Sequence, residues 1–234
     1  MKYLVSTITP VKGVISALLL SFSSVNISMA AGVSLSATRL IYPIGEKQIS
    51  INVRNSAVKE SFLVQSWVSD SQGQKSSDFI VTPPLFILKA GKINVLRIIY
   101  NGPSLPQDRE SVFYLNNKAI PSTENKVKGI NTLQIATQSV IKLFMRPQQL
   151  SVRPADAPGM LRCRFTDGKL TISNPSPYFV TLVNFTVDGK KQRNTMVQPM
   201  NDQTMSITGT ANSIVSFQSL NDFGALTSSV LCKA

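Results

Sequence analysis

Residues 132–147 read Thr-Leu-Gln-Ile-Ala-Thr-Gln-Ser-Val-Ile-Lys-Leu-Phe-Met-Arg-Pro. Leu133, Ile135 and Thr137 fall on one face at a period of two and Gln134 and Gln138 on the other, the pattern of a half-buried or edge strand. From Val140 to Met145 the sequence is almost unbroken apolar, as in a strand covered on both faces, yet it carries Lys142. The stretch predicts one unusually long strand that offers an alternating apolar row and then a buried cation. Alternation sets Lys142 on the face opposite Leu133, so twist or a bulge, placed at Ser139-Val140, is expected to aim both at one surface.

Working outward, short apolar runs recur at 33–42, 48–55, 61–69, 79–88 (interrupted by Pro83-Pro84), 93–100 and 111–119. Turn signals separate them, among them Pro43-Ile44-Gly45, Ser71-Gln72-Gly73, Asn101-Gly102-Pro103 and the polar stretch Ser122 to Gly129. With 132–145 this makes one immunoglobulin-like sandwich. After Arg146-Pro147-Gln148-Gln149 the pattern restarts, with runs at 162–165, 169–173, 179–187, 195–197, 204–207, 213–217 and 227–232. Asp167-Gly168 and Asp188-Gly189 signal tight hairpins. No apolar spacing of 3.6 persists long enough to require a helix. The expected fold is therefore all-β, with one β-sandwich over 31–147 and a second over 148–234.

Residues 1–30 have the form of an export signal: basic Lys2 and Lys12, the apolar run Gly13 to Phe22, and a small-x-small site at Ser28-Met29-Ala30 with cleavage after Ala30. That run is shorter than the roughly 20 residues a spanning helix needs. Loss of Lys2 and Lys12 leaves 22 of the 24 basic residues against 12 acids, a net charge of +10. So basic a chain suits an anionic partner. Its cations are nevertheless scattered, with no aromatic-interleaved basic run and no zinc or helix-turn-helix spacing, which argues against nucleic acid.

Cys163 and Cys232 are the two cysteines; in an oxidising compartment they are expected to form one disulfide. The chain has no histidine, which removes the commonest neutral-pH general base and the Ser-His-Asp and Cys-His arrangements. No P-loop, G-x-S-x-G or H-E-x-x-H is present. The chain is not expected to be an enzyme, nor to hold a metal, a cofactor or a small-molecule substrate.

Four blocks carry a family resemblance: Thr38-Arg39-Leu40-Ile41-Tyr42-Pro43, Phe113-Tyr114-Leu115-Asn116-Asn117-Lys118-Ala119-Ile120-Pro121, the stretch Leu133 to Pro147, and Asn174-Pro175-Ser176-Pro177-Tyr178-Phe179-Val180-Thr181. Together they make the chain resemble the PapD-like periplasmic pilus (fimbrial) chaperones of the chaperone–usher pathway, in the subclass with a short loop before the donor strand. The resemblance implies two immunoglobulin-like domains in a boomerang arrangement. It implies periplasmic location, and as partners pilus subunits and an outer-membrane usher. Arg39 and Lys142 match the pair that grips a subunit's C-terminal carboxylate. Leu133, Ile135 and Thr137 match the strand lent to the subunit, although the family commonly has a larger apolar residue at the place of Thr137. Glu110, Arg146 and Asp222 match an interdomain ion cluster. An exposed edge strand also leaves room for a self-capped dimer of the free protein. The competing expectation is an exported structural subunit or adhesin, which would carry its own donor extension and a single incomplete sandwich.

Overall fold

The computed structural model describes residues 32–122 and 133–232. The export signal expected at 1–30, most of the polar stretch 122–129, and Thr132 lie outside the described residues.

In the first half the strands are β1 (Val33–Leu35), β2 (Arg39–Pro43), β3 (Ile49–Asn55), β4 (Phe62–Ser69), β5 (Phe79–Thr82), β6 (Leu85–Leu88), β7 (Ile93–Tyr100), β8 (Ser111–Pro121) and β9 (Thr137–Arg146). They build two sheets, ordered β1-β3-β7-β5 and β2-β9-β8-β4-β6. Two of the apolar runs change sheet midway. The run 33–42 breaks at Ser36–Thr38, so β1 pairs with β3 and β2 with β9. The run 79–88 breaks at Pro83-Pro84, which cannot donate to a ladder, so β5 joins β7 and β6 joins β4. Between the sheets the inward positions Val53, Val64, Leu96, Ile98, Leu115 and Leu143 form a core. β3 shows the logic: Ile51, Val53 and Asn55 point in while Ser50, Asn52 and Arg54 stay exposed. Asn55 survives burial because its amide donates to the carbonyls of Glu60 and Leu88 and its oxygen accepts from Ala57 N–H; a buried polar group without such partners would be costly.

The second half contains a single turn of 3-10 helix, Ala157–Met160, and then β10 (Arg162–Thr166), β11 (Lys169–Asn174), β12 (Val180–Val187), β13 (Lys190–Lys191), β14 (Thr195–Val197), β15 (Asn201–Met205), β16 (Val215–Ser219) and β17 (Val230–Leu231). One sheet has the order β10-β11-β15 and the other β13-β12-β16-β17, with β14 also on β12. Leu170, Ile172, Leu182, Phe185 and Phe217 fill a second, separate core. Both Asp-Gly signals are tight hairpins, with φ of 51° and 69° at Asp167-Gly168 and 50° and 76° at Asp188-Gly189, the left-handed pair that lets a two-residue turn follow the strand twist. Asn174 repeats the device of Asn55: its amide donates to the carbonyls of Tyr178 and Gln198 and its oxygen accepts from Ser176. That binds the Asn-Pro-Ser-Pro-Tyr turn to the sheet.

The second core is closed by a Cys163–Cys232 disulfide spanning 69 residues. It fastens β10 of one sheet to the residue after β17 of the other. Replacing both cysteines by alanine is expected to lower the unfolding free energy by about 2–4 kcal/mol in urea titrations. Reducing the unaltered protein should produce the same shift and should leave the variant where it is.

Candidate functional site

β2 runs parallel to β9, with Arg39 opposite Lys142 and the register continuing to Pro43 opposite Arg146. Period-two alternation then sorts the pair into two faces. Leu40, Tyr42, Leu143 and Met145 enter the first core; Arg39, Ile41, Lys142, Phe144 and Arg146 share the other face. Across that face Lys142 lies between Arg39 on one side and Tyr114 on the other. Arg39 is only 8% exposed. Its guanidinium lies 5.6 Å from the Phe144 ring centre and donates to the Leu220 carbonyl at 3.1 Å, and Phe144 in turn meets Phe179 at 5.7 Å between ring centres. Neither Arg39 nor Lys142 has an ion-pair partner among the described residues. Burial, and then the positive charge of Arg39, hold the Lys142 pKa below its ordinary value. Burial lowers Arg39 too, opposed by the charges of Asp222 and Glu110.

Glu110, Arg146 and Asp222 come together beside this pair. Arg146 donates to Glu110 through Nε at 2.7 Å and grips Asp222 through both terminal nitrogens at 2.7 Å each. The second Glu110 oxygen accepts from the Phe179 N–H at 2.9 Å, and the Arg146 guanidinium stands 5.1 Å from the Tyr178 ring centre. The end of β9 and the residue before β8 are thus tied to two loops of the second half. Burial alone would lower the Arg146 pKa, but the hydrogen bonds to Asp222 and the charge of Glu110 outweigh it and raise it above its ordinary value. The whole constellation holds three cations, Arg39, Lys142 and Arg146, against two carboxylates. One further carboxylate would balance it.

The expected strand over 132–147 is shorter in the structure: β9 starts at Thr137. Ala119 pairs with Thr137, and carrying that register on sets Pro121, the last residue of β8, opposite Ile135. A proline has no N–H for the ladder, and on the other side β2 starts only opposite Lys142. Leu133 and Ile135 are accordingly outside any strand, 88% and 65% exposed, and Thr137 is exposed at the head of β9. The bulge expected at Ser139-Val140 is absent, since β8 and β9 stay in one register from Ala119–Thr137 to Ser111–Met145. Lys142 therefore does lie on the face opposite the parity of the apolar row. A strand laid along the edge needs no bulge: its backbone end can meet the cations while one of its faces receives the row.

Residues 32–151 match the family of pili and flagellar-assembly chaperones through the PapD N-terminal domain, and residues 156–230 match the pili assembly chaperone PapD C-terminal domain. The chain belongs to the PapD-type pilus-assembly chaperone family. Among relatives, the probable fimbrial chaperone protein ElfD of Escherichia coli O157:H7 is 46% identical over 221 residues, 94% of each chain. The chaperone protein FimC of Escherichia coli K12 is 44% identical over 198 residues, 84% of this chain and 82% of FimC. The periplasmic chaperone SfaE superposes with a TM-score of 0.76 at 41% identity, covering 87% of this chain and all of SfaE. The SafB chaperone, solved with the Salmonella enterica SafA pilin, gives 0.79 at 31% identity, over 88% and 98% of the two chains. Chaperone matches in both halves set aside the structural-subunit expectation.

Sequence reasoning about this chaperone passes over three contributors to the site: Phe144, Phe179 and the Leu220 carbonyl. The alternation that exposes Lys142 also exposes Phe144, so a signal for the first was present. A backbone carbonyl and a ring from the other half leave none.

The ion cluster is unequally buried. Glu110 is buried, whereas the Asp222 side chain is about a third exposed and screened by solvent. Arg146→Ala strands a buried carboxylate and is expected to cost about 3 kcal/mol; Asp222→Ala should cost about 1 kcal/mol. Urea titration of both variants checks the ranking, and equal losses would contradict it.

Proposed function

We propose that this chain is a periplasmic chaperone that receives pilus subunits by donor-strand complementation, caps them, and passes them to an outer-membrane usher. It would be exported by removal of residues 1–30 and would act as two domains, 31–147 and 148–234. The observation that carries this is the open edge of β9. On the β2 side, residues 133–141 have no ladder partner among the described residues, and the opening ends where Arg39 faces Lys142. An incoming strand that runs along this edge parallel to β9 takes the place β2 would occupy if it were longer. Its chain end then meets the two cations.

Each component has a physical task. Open backbone groups on the edge supply main-chain hydrogen bonds to an added strand. Leu133 and Ile135, both largely in water, would each gain up to about 1.5–3 kcal/mol on burial in a partner lacking its own strand, before ordering costs. Thr137 adds less, being smaller and polar. Arg39 can hold a carboxylate through two parallel hydrogen bonds and Lys142 adds a compact charge, both strengthened by partial desolvation. The carboxylate relieves their mutual repulsion and fixes the register, which matters because a one-residue slip turns every apolar side chain to the wrong face. Glu110, Arg146 and Asp222 would set the angle between the domains. The same open edge could pair with a second copy in the free protein. No step of this function requires bond chemistry.

Lys142→Ala is expected to stay folded but to lose subunit in co-purification from periplasm, the missing charge weakening binding by about 2–5 kcal/mol. Retention at the level of the unaltered protein would overturn the anchor. The protonated lysine is the binding form, so affinity for a peptide with a free C-terminal carboxylate should fall as pH rises through the lowered Lys142 pKa. That fall should come below the ordinary lysine range near about 10.4. Lys142→Arg should flatten that decline in fluorescence titrations.

A further inference from the structure

Charge is distributed unevenly along the first sandwich. Of the six acidic side chains among residues 32–122, Glu46, Asp70, Asp78, Asp108 and Glu110 precede β3, β5 and β8 or follow β4, which gathers them at one end. At the other end β3 leads to β4 through 56–61 and β6 leads to β7 through 89–92; there the remaining acid, Glu60, stands among Arg54, Lys59, Lys89 and Lys92. These four cations are exposed, and none has an ion-pair partner among the described residues. The seven residues of β3 alone separate the two ends by roughly 20 Å, well over a Debye length in physiological salt, so the distant acids do not offset them.

The two turns form one platform. Gly91 N–H donates to the Ala57 carbonyl at 3.1 Å and Asn55 N–H to the Lys92 carbonyl at 3.0 Å, while the buried Asn55 amide bridges the Glu60 and Leu88 carbonyls. Apolar side chains project from this platform. Val58 is 87% exposed, and Ile93, paired with Arg54 at the head of β7, is 57% exposed. Gly32 is fastened here as well: its N–H donates to Ser56 Oγ at 3.1 Å and its carbonyl accepts from Ser56 N–H at 2.9 Å. Removal of residues 1–30 would leave the new amino terminus one residue before Gly32, a further positive charge at this end.

We propose that this end of the first sandwich docks the protein reversibly on an anionic phospholipid surface, with Val58 and Ile93 dipping among the headgroups and the cations lying on the phosphates. Protruding aliphatic side chains ringed by long basic ones suit such a surface, because the methylene stems lie along the apolar layer while the charges stay at the phosphate level. A patch built for another protein has a different composition, rich in aromatic residues and arginine and poor in lysine. Here three of the four cations are lysines, and neither turn contains an aromatic residue. Lys142 is opposite Tyr114, and Tyr114 is opposite Ser69 at the far end of β4, so the cation pair stays clear of the lipid and subunit capture can be tested separately. Leu133 and Ile135 emerge nearer the docking end and have to be told apart from it.

The test mixes the purified mature protein with vesicles of phosphatidylcholine, alone or with an equal part of phosphatidylglycerol, and separates bound protein by flotation. Phosphatidylglycerol should raise the partition coefficient more than about a hundredfold, and a change from about 0.02 M to about 0.5 M salt should abolish that gain. Removing three charges from the docking end, Lys59→Gln with Lys89→Gln and Lys92→Gln, should lower partitioning about a hundredfold. Removing three from the second half, Lys169→Gln with Lys190→Gln and Lys191→Gln, should lower it less than about threefold, since charges held away from the lipid are screened. Val58→Ser should cost about fivefold at unchanged charge, and Leu133→Ser with Ile135→Ser should cost nothing. All these positions are exposed, and matching thermal melts keep folding out of the comparison. Equal losses from the two triple variants would reduce the binding to net charge. No loss in Val58→Ser would make the occupant an acidic polypeptide or any other polyanion, and a loss carried by Leu133 and Ile135 would trace binding to the lent strand. Each of these results overturns the docking end, as does the absence of a preference for phosphatidylglycerol.

Discussion

The parallel pairing of a five-residue β2 with the last half of β9 is the constraint on which the site depends. Because β2 begins only at Arg39, it covers the edge of β9 from Lys142 onward and leaves the preceding residues open among the described residues. Because the two strands are in register at that point, the cations are neighbours on one face while Leu40 and Leu143 are neighbours in the core. The same backbone geometry therefore opens an edge, ends it, and places two like charges at the end. Repulsion between those charges is tolerated because the residues beneath them are fixed by burial. Core packing is the source of energy for an arrangement that electrostatics alone would disperse.

One turn of the second half serves the first in several ways. The Leu220 carbonyl takes a hydrogen bond from Arg39, Asp222 takes two from Arg146, and Gly224 packs on Thr38. These contacts lie within five residues. The angle between the sandwiches and the posture of Arg39 are for that reason not independent. A shift of the turn would move the guanidinium as well as the salt bridge.

Much of this fold was legible in the sequence because it follows from period-two alternation and turn chemistry. The inward row of β3 and the two Asp-Gly hairpins needed no tertiary information. Strand ends were less legible. β15 begins at Asn201, three residues before the apolar run suggests, because Asn201, Asp202 and Gln203 pair with β11 as a polar edge that hydropathy does not mark. The sheet change at Ser36–Thr38 is also silent, since the flanking residues are strand-like on both sides. At the site, alternation around Lys142 revealed a cation in an apolar strand, and resemblance supplied its pairing with Arg39; spacing along a chain cannot report a contact between residues a hundred positions apart. The missing bulge has a simple cause. In the proposed complex, anchor and apolar row would address different parts of a bound strand, its end and its face, so nothing requires them to share a side.

The surplus of one positive charge has a further consequence for what such a site can tell apart. An internal segment of polypeptide, whatever its side chains, brings no backbone charge to Arg39 and Lys142; only a terminus does. From Leu133 to Lys142 is nine residue steps, about 30 Å of extended chain, so in the proposed complex the spacing would also act as a gauge. A client whose tail has been clipped by one residue would satisfy the cations only by presenting the wrong side chains to the row. Charge and length read together would let the protein proofread whether the chain it shelters is whole.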